Sequence, residues 1–198
     1  MKEKKVLLLL AEGFEIYEAS AFIDVIGWNM LEGDKSTRLI TCGATKEVTS
    51  TFGIPLTVDI TLDDIDYRAY DALAIPGGFA DYGFYESAYA YDFIRVLQEF
   101  NIHQKPIASI CTGSMPLGKA GVLWKRKATT YNVNPLRQQQ LADFGAAVIN
   151  EPLVTDGHII SSWNPSTSLD VAFKLLEWLT SEANVSRVKK LMGFQAVN

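Results

Sequence analysis

The chain has 198 residues, 48% of them hydrophobic, and a formal net charge of −5. That length suits a single α/β domain with a full core, expected to span 1–198. The acidic excess, with no basic stripe, excludes nucleic acid as a partner, and two cysteines in dissimilar settings exclude a disulfide framework.

The first apolar run, residues 6–11, follows Lys2, Lys4 and Lys5 and mimics the opening of a signal peptide. It is too short for one, meets Glu12 and Glu15 at once and lacks a cleavage pattern, so it reads as a buried first strand. No other stretch approaches membrane-spanning length, so no membrane partner is expected. A solitary useful thiol needs a reducing compartment, which makes the expected location cytoplasmic. Further strands are expected at 38–41, 72–75 and 107–110, with a weak one at 147–149. Helical periodicity predicts helices at 18–31, 88–100, 113–120, 135–144, 168–180 and 181–191, the fourth opening on Asn134 as cap with Pro135 in its first turn. Two hairpins, one around Asp156-Gly157 in 153–161 and one flanking Gly53 between 48–51 and 56–58, are expected as edge decorations. This alternation implies a mostly parallel sheet with helices on both faces.

Ligands of such sheets bind beyond the carboxyl ends of the strands. The segments 11–18, 76–79, 111–113 and 162–168 fall there. Of these, Ser109-Ile110-Cys111-Thr112-Gly113-Ser114 reads as a nucleophile elbow: a buried strand runs into a cysteine, with small residues two before and two after so that strand and helix backbones can cross. A sulfur at a helix N-terminus is expected to be acidic and nucleophilic. Cys42 lacks such surroundings and reads as structural. The paired glycines of Pro76-Gly77-Gly78 allow a close backbone approach, and the Gly78 and Thr112 amides could together form an oxyanion hole, or Gly77-Gly78 could be a plain turn. Glu12, Glu15 and Glu18 follow the first strand. Taken singly each suits a solvated surface, yet a carboxyl beside a buried thiolate would be held protonated by like-charge repulsion and could relay a proton. His103 falls at the amino end of the nucleophile strand and His158 in the Asp156-Gly157 turn, so neither is placed to act as base for Cys111. No metal-ligand spacing occurs, and no metal or cofactor is implied.

In order along the chain, Ala11-Glu12-Gly13-Phe14-Glu15-Ile16-Tyr17-Glu18, Ile75-Pro76-Gly77-Gly78, the Cys111 elbow, Lys127-Ala128-Thr129-Thr130-Tyr131 and Thr167-Ser168-Leu169-Asp170 resemble the ThiJ/PfpI (DJ-1) superfamily. The resemblance covers nearly the whole chain and implies a flavodoxin-like, class I glutamine amidotransferase-like three-layer sandwich that is usually a homodimer. It implies a first-loop acid touching the cysteine, matched by Glu18, and oxyanion amides at Gly78 and Thr112. Where many members carry a histidine after the Thr-Thr pair this chain has Tyr131, and where protease-like members carry one after the cysteine it has Thr112. Peptidase or glutaminase chemistry is therefore not expected. The Cys-Thr-Gly elbow looks most like the isocyanide hydratase branch, whereas Glu18 in place of a shorter aspartate is typical of the glyoxalase and sensor branches.

Two functions follow as expectations. In the first, Cys111 adds to a small electrophilic carbon of an isocyanide, aldehyde or 2-oxoaldehyde, Glu18 is general acid/base and Thr112 and Gly78 hold developing charge. Gly77, Phe14, Phe79, Tyr131 and Trp163 then border the substrate, Tyr82, Phe84 and Tyr85 read as core or dimer packing, and a pocket with few charges excludes large anionic substrates. In the second, the protein is a redox or stress sensor whose Cys111 is reversibly oxidised.

Overall fold

Strand β1 (Lys4–Leu10) is apolar at consecutive positions because both of its faces are covered. Side chains of a strand alternate between faces, so Val6, Leu8 and Leu10 enter the core on one side of the sheet while Leu7 and Leu9 enter the core on the other. β1 pairs in parallel with β2 (Thr37–Gly43) on one side and β6 (Ala72–Ile75) on the other, and β6 pairs in parallel with β7 (Ile107–Ser109). The seven-stranded sheet has the order β10-β11-β7-β6-β1-β2-β5, with β5 at Ile60–Thr61, β10 at Leu153–Asp156 and β11 at Ile159–Ser162. The computed structural model describes residues 3–194; Lys2 and both ends of the expected 1–198 span lie outside the described residues.

Helices α1 (Ile16–Glu32), α6 (Ser168–Leu179) and α7 (Glu182–Leu191) cover one face, centred on Phe22, Val25, Val171 and Leu175. Helices α3 (Tyr91–Ile102), α4 (Ser114–Lys119) and α5 (Pro135–Asp143) cover the other through Phe93, Leu97, Leu117 and Leu141. This is the expected three-layer α/β sandwich with a mostly parallel sheet. The Asn134 cap forms as its sequence implies: its side chain accepts from the Leu136 amide at 3.1 Å, with Pro135 in the first turn.

Three expectations change. The hairpin at Asp156-Gly157 is more than a decoration, because β11 pairs in parallel with β7 and only β10 is the antiparallel edge. The weak strand at 147–149 leaves the main sheet: β9 (Ala147–Val148) pairs with β8 (Lys127–Ala128) in a separate two-stranded ribbon, as β3 (Glu47–Thr49) does with β4 (Pro55–Thr57). The helix expected at 88–100 is two helices, α2 (Phe84–Ala88) and α3, because Ala90 turns out of helical geometry at ψ 148°. No described helix is long and apolar enough to cross a membrane.

Leaving β1, the chain passes first to β2 on one side and later to β6 on the other. The direction of winding therefore reverses between β1 and β6, and the loops beyond their carboxyl ends diverge to leave a crevice.

Candidate active site

Cys111 follows β7 after one residue, Ile110, and has φ 56°, in the left-handed region that is costly for a residue with a side chain. The strain persists because neighbours over-determine it. The Thr130 hydroxyl donates to the Cys111 carbonyl at 2.8 Å, and the chain then enters the short turn Cys111–Gly113 and α4. The small residues of the elbow are there for the crossing: a Cβ on Gly113 would lie 2.7 Å from the Ile75 carbonyl oxygen, and the buried Ser109 and Ser114 hydroxyls are 2.9 Å apart. A Cβ on Gly77 would lie 2.6 Å from Thr112 Oγ1, so the glycine loop can rest against the elbow only without side chains.

The three first-loop glutamates have separate roles. Glu12 Oε2 accepts from the Thr49 amide at 3.0 Å and ties the loop to β3, while Glu15 caps α1 by accepting from the Tyr17 amide at 3.2 Å. Glu18, in the first turn of α1, is fully buried, and its Oε2 accepts from the Gly77 amide at 2.6 Å. Its Oε1 is buried without a partner of ordinary hydrogen-bond geometry, and the neighbour acting on the carboxyl is the Cys111 thiol. Burial raises Glu18 to about 8, against the opposing pull of the Gly77 amide and the Cys111 thiol, and the charge of Glu15 adds to the rise. The direction is the expected one; the leading cause is desolvation, rather than repulsion from a thiolate.

For Cys111 the expectation reverses. Burial, followed by the charge of Glu18, pushes the thiol well above its ordinary value, although the Thr112 amide hydrogen-bonds the sulfur and pulls the other way. A three-residue turn leading into a six-residue helix supplies too little dipole to offset removal of the sulfur from water. The two groups titrate as a pair, and the thiolate becomes accessible through Glu18, which can take the thiol proton.

A cavity of about 280 Å³ opens on this pair. Cys111, Glu18, Gly78, Thr112, Phe79 and Tyr131 line it, as do Tyr85, Asn134, Arg137 and Pro165. The Gly78 amide donates to Thr112 Oγ1 at 2.9 Å and that hydroxyl donates back to the Gly78 carbonyl at 2.9 Å, so the amide is released to a substrate oxygen only when the Thr112 side chain turns away. Phe14 is fully buried in the core instead of lining the cavity, and its backbone bridge to Gly78 holds the glycine loop against the first loop. Trp163 is half-buried and outside the lining, and Gly77 sits behind Thr112 as the Glu18 anchor.

Both histidines are remote from Cys111, at the amino ends of the strands. His103 pairs with Glu99 at 3.6 Å on the surface, and His158 meets Asn101 at 3.1 Å. Burial raises Cys42 to about 12, leaving it an inert packing residue. Among the described residues no three His, Cys, Asp or Glu side chains group as metal ligands would. The sequence reading assigned Tyr85 to packing and left Arg137 and Thr130 without a site role; α2 brings Tyr85 to the cavity, and the loop after β8 and the start of α5 bring Thr130 and Arg137 to the elbow and the cavity.

The DJ-1/PfpI family model matches residues 4–178. The chain is similar to "Deglycase PH1704" of Pyrococcus horikoshii, 30% identical over 162 residues that cover 82% of this chain and 91% of that protein. It is also similar to "Protein DJ-1 homolog A" of Arabidopsis thaliana, 25% identical over 96% of this chain and 46% of that longer protein. The crystal structure of Drosophila melanogaster DJ-1beta superposes with a TM-score of 0.84 at 24% identity, covering 98% of this chain and all of that one, which shows the shared fold. With the sandwich, the elbow and the family match in agreement, the chain belongs to the DJ-1/PfpI family.

Proposed function

We propose that the protein is a cysteine-dependent enzyme that adds Cys111 to the carbonyl carbon of a small electrophile of the 2-oxoaldehyde class, with Glu18 as acid and base. The observation that carries this reading is a fully buried carboxyl, raised to about 8 by burial and anchored on Gly77, beside a strained cysteine on a cavity. The archaeal relatives are named deglycases, which favours carbonyl chemistry over the isocyanide branch.

In the first step ionised Glu18 takes the thiol proton, the sulfur–carbon bond forms as the carbonyl π bond breaks, and the Thr112 amide together with a released Gly78 amide holds the alkoxide. Glu18 returns the proton to the oxygen, so the net change is addition of S–H across C=O. The aldehyde-carbon proton then moves to the adjacent carbon while the hemithioacetal hydroxyl proton passes to the ketone oxygen, which gives a 2-hydroxy thioester, and water cleaves its carbon–sulfur bond to release the 2-hydroxy acid and the free thiol. Phe79 and Tyr131 wall this cavity.

A redox sensor is the second reading, favoured by the absence of a histidine from the cavity lining. Both cysteines are unpaired, which suits a reducing compartment such as the cytoplasm for either reading. A homodimer is part of the proposal. Phe52, Phe79 and Tyr82 are exposed and in ring contact at 6.3 and 5.9 Å, and Phe79 also lines the cavity, so a second copy seated on this patch would cover the cavity mouth. The test is conversion of a 2-oxoaldehyde to the 2-hydroxy acid, followed by NMR. Wild type turns over while Cys111→Ser and Glu18→Gln do not; a wild type inert to every 2-oxoaldehyde, but forming a sulfinate at Cys111 with peroxide, would establish the sensor instead.

A further inference from the structure

The cavity has a polar side that the addition chemistry leaves unused. Arg137, in the first turn of α5, places its guanidinium carbon 4.8 Å above the centre of the Tyr85 ring, and both residues line the same cavity as Cys111. Its one hydrogen bond is neutral, from Nη1 to Gln140 Oε1 at 2.9 Å, and among the described residues it has no carboxylate partner. The Tyr85 hydroxyl is buried, and the side chain that bears on it is the Thr112 hydroxyl, whose Oγ1 is already shared between the Gly78 amide and carbonyl. Ring stacking on its apolar side leaves the remaining edge of the guanidinium free for a planar anion. A buried hydroxyl whose neighbouring oxygen is already engaged and a guanidinium with one neutral hydrogen bond and no carboxylate are two donors with capacity for a further acceptor. The other charged groups on the lining, Glu15 and Glu18, are already held, by the Tyr17 amide and by the Gly77 amide.

We propose that Arg137 and Tyr85 form a carboxylate subsite, so that the preferred substrates are small carbonyl compounds carrying a carboxylate one or two carbons from the electrophilic carbon. This rests on the reading of Cys111 as a carbonyl nucleophile and adds its substrate class. It refines the expectation of a pocket with few charges that excludes large anionic substrates, since Arg137 is the one cation on the lining and would take a small anion. Burial raises the Tyr85 phenol, so it remains a hydroxyl donor across the physiological range.

The test reads protection of Cys111 from iodoacetamide, by peptide mass spectrometry, with glyoxylate and the neutral acetaldehyde as competing two-carbon electrophiles. Glyoxylate should protect wild type at concentrations about tenfold lower than acetaldehyde, the scale of one charge-assisted hydrogen-bond pair. Arg137→Met, which keeps the stem over the ring, should remove that preference, and Tyr85→Phe should reduce it about threefold, while acetaldehyde protection is unchanged in both. Equal protection by the two aldehydes in wild type, or a preference that survives Arg137→Met, overturns the subsite. Glycolate, which has the carboxylate and no electrophile, separates the two readings. If neither aldehyde protects, the nucleophile reading falls, and the subsite then stands on calorimetric binding of glycolate to wild type that Arg137→Met abolishes; no such binding overturns it.

Discussion

A carboxyl with an ordinary value of 4.5 that the fold holds at about 8 takes up a proton as the chain folds. The sign follows: the contribution is fully present below the unfolded value and is lost as the pH rises through about 8, because the folded state must then keep a buried carboxylate or stay protonated against the solvent. Glu18→Gln keeps an oxygen for the Gly77 amide and removes the charge. It should raise the melting temperature more at about pH 9 than at about pH 5, and equal shifts at the two values would contradict a raised Glu18. The same pair sets reactivity. Alkylation of Cys111 should climb through about pH 8 as Glu18 becomes able to accept the thiol proton, and this step should disappear in Glu18→Gln. A rate already flat below pH 7 would mean that the sulfur is a preformed thiolate.

Elements are joined by polar contacts as well as by the two apolar cores. At the end of α1, Asn29 Nδ2 donates to Thr37 Oγ1 at 2.8 Å, and Asn184 of α7 donates to Asn29 Oδ1 at 2.6 Å. The Asp34 amide donates to Asn184 Oδ1 at 3.0 Å, so one buried cluster fixes α1, the loop into β2 and α7 together. Asn184→Ala should cost about 1–3 kcal/mol in denaturant unfolding, since it removes the donor to Asn29 Oδ1 and leaves the Asp34 amide only the longer bond to Asn29 Oδ1 at 3.3 Å. The cap of α5 is more local. Asn134→Ala should cost about 1 kcal/mol, and if glyoxylate protection of Cys111 also weakens, the position of α5 sets the position of Arg137.

At the scale of the whole molecule the aromatic patch is the unusual feature. Phe52 is 68% exposed and holds φ 68° inside the turn closed by the Gly53 amide on the Ser50 carbonyl. A large apolar ring held out at a strained turn, edge-on to Tyr82 and tilted against Phe79, is a poor arrangement for a surface facing water and a good one for a surface that meets another. Phe52→Asp should convert a dimer to a monomer in sedimentation velocity, with the fold retained. A wild type that sediments as a monomer at high micromolar concentration would remove the dimer from the proposal.

The sequence by itself determined the layers and the elbow that carries Cys111. Runs such as 6–11 and 72–75 read as strands buried on both faces because hydrophobic periodicity is a local property, and Ser109, Cys111 and Gly113 reveal the elbow because backbone crossing demands small residues at fixed spacing. Asn134-Pro135 marked the start of α5 for the same local reason. The tertiary structure alone decided which residues share the cavity and which way the titrations move. Tyr85 and Arg137 come from α2 and α5, elements far apart in the chain, while Phe14, in the same first loop as Glu15, turns into the core. Burial is a property of the assembled layers, and it overrides the helix-end effect that the elbow's sequence position implies, raising Cys111 and Glu18 together.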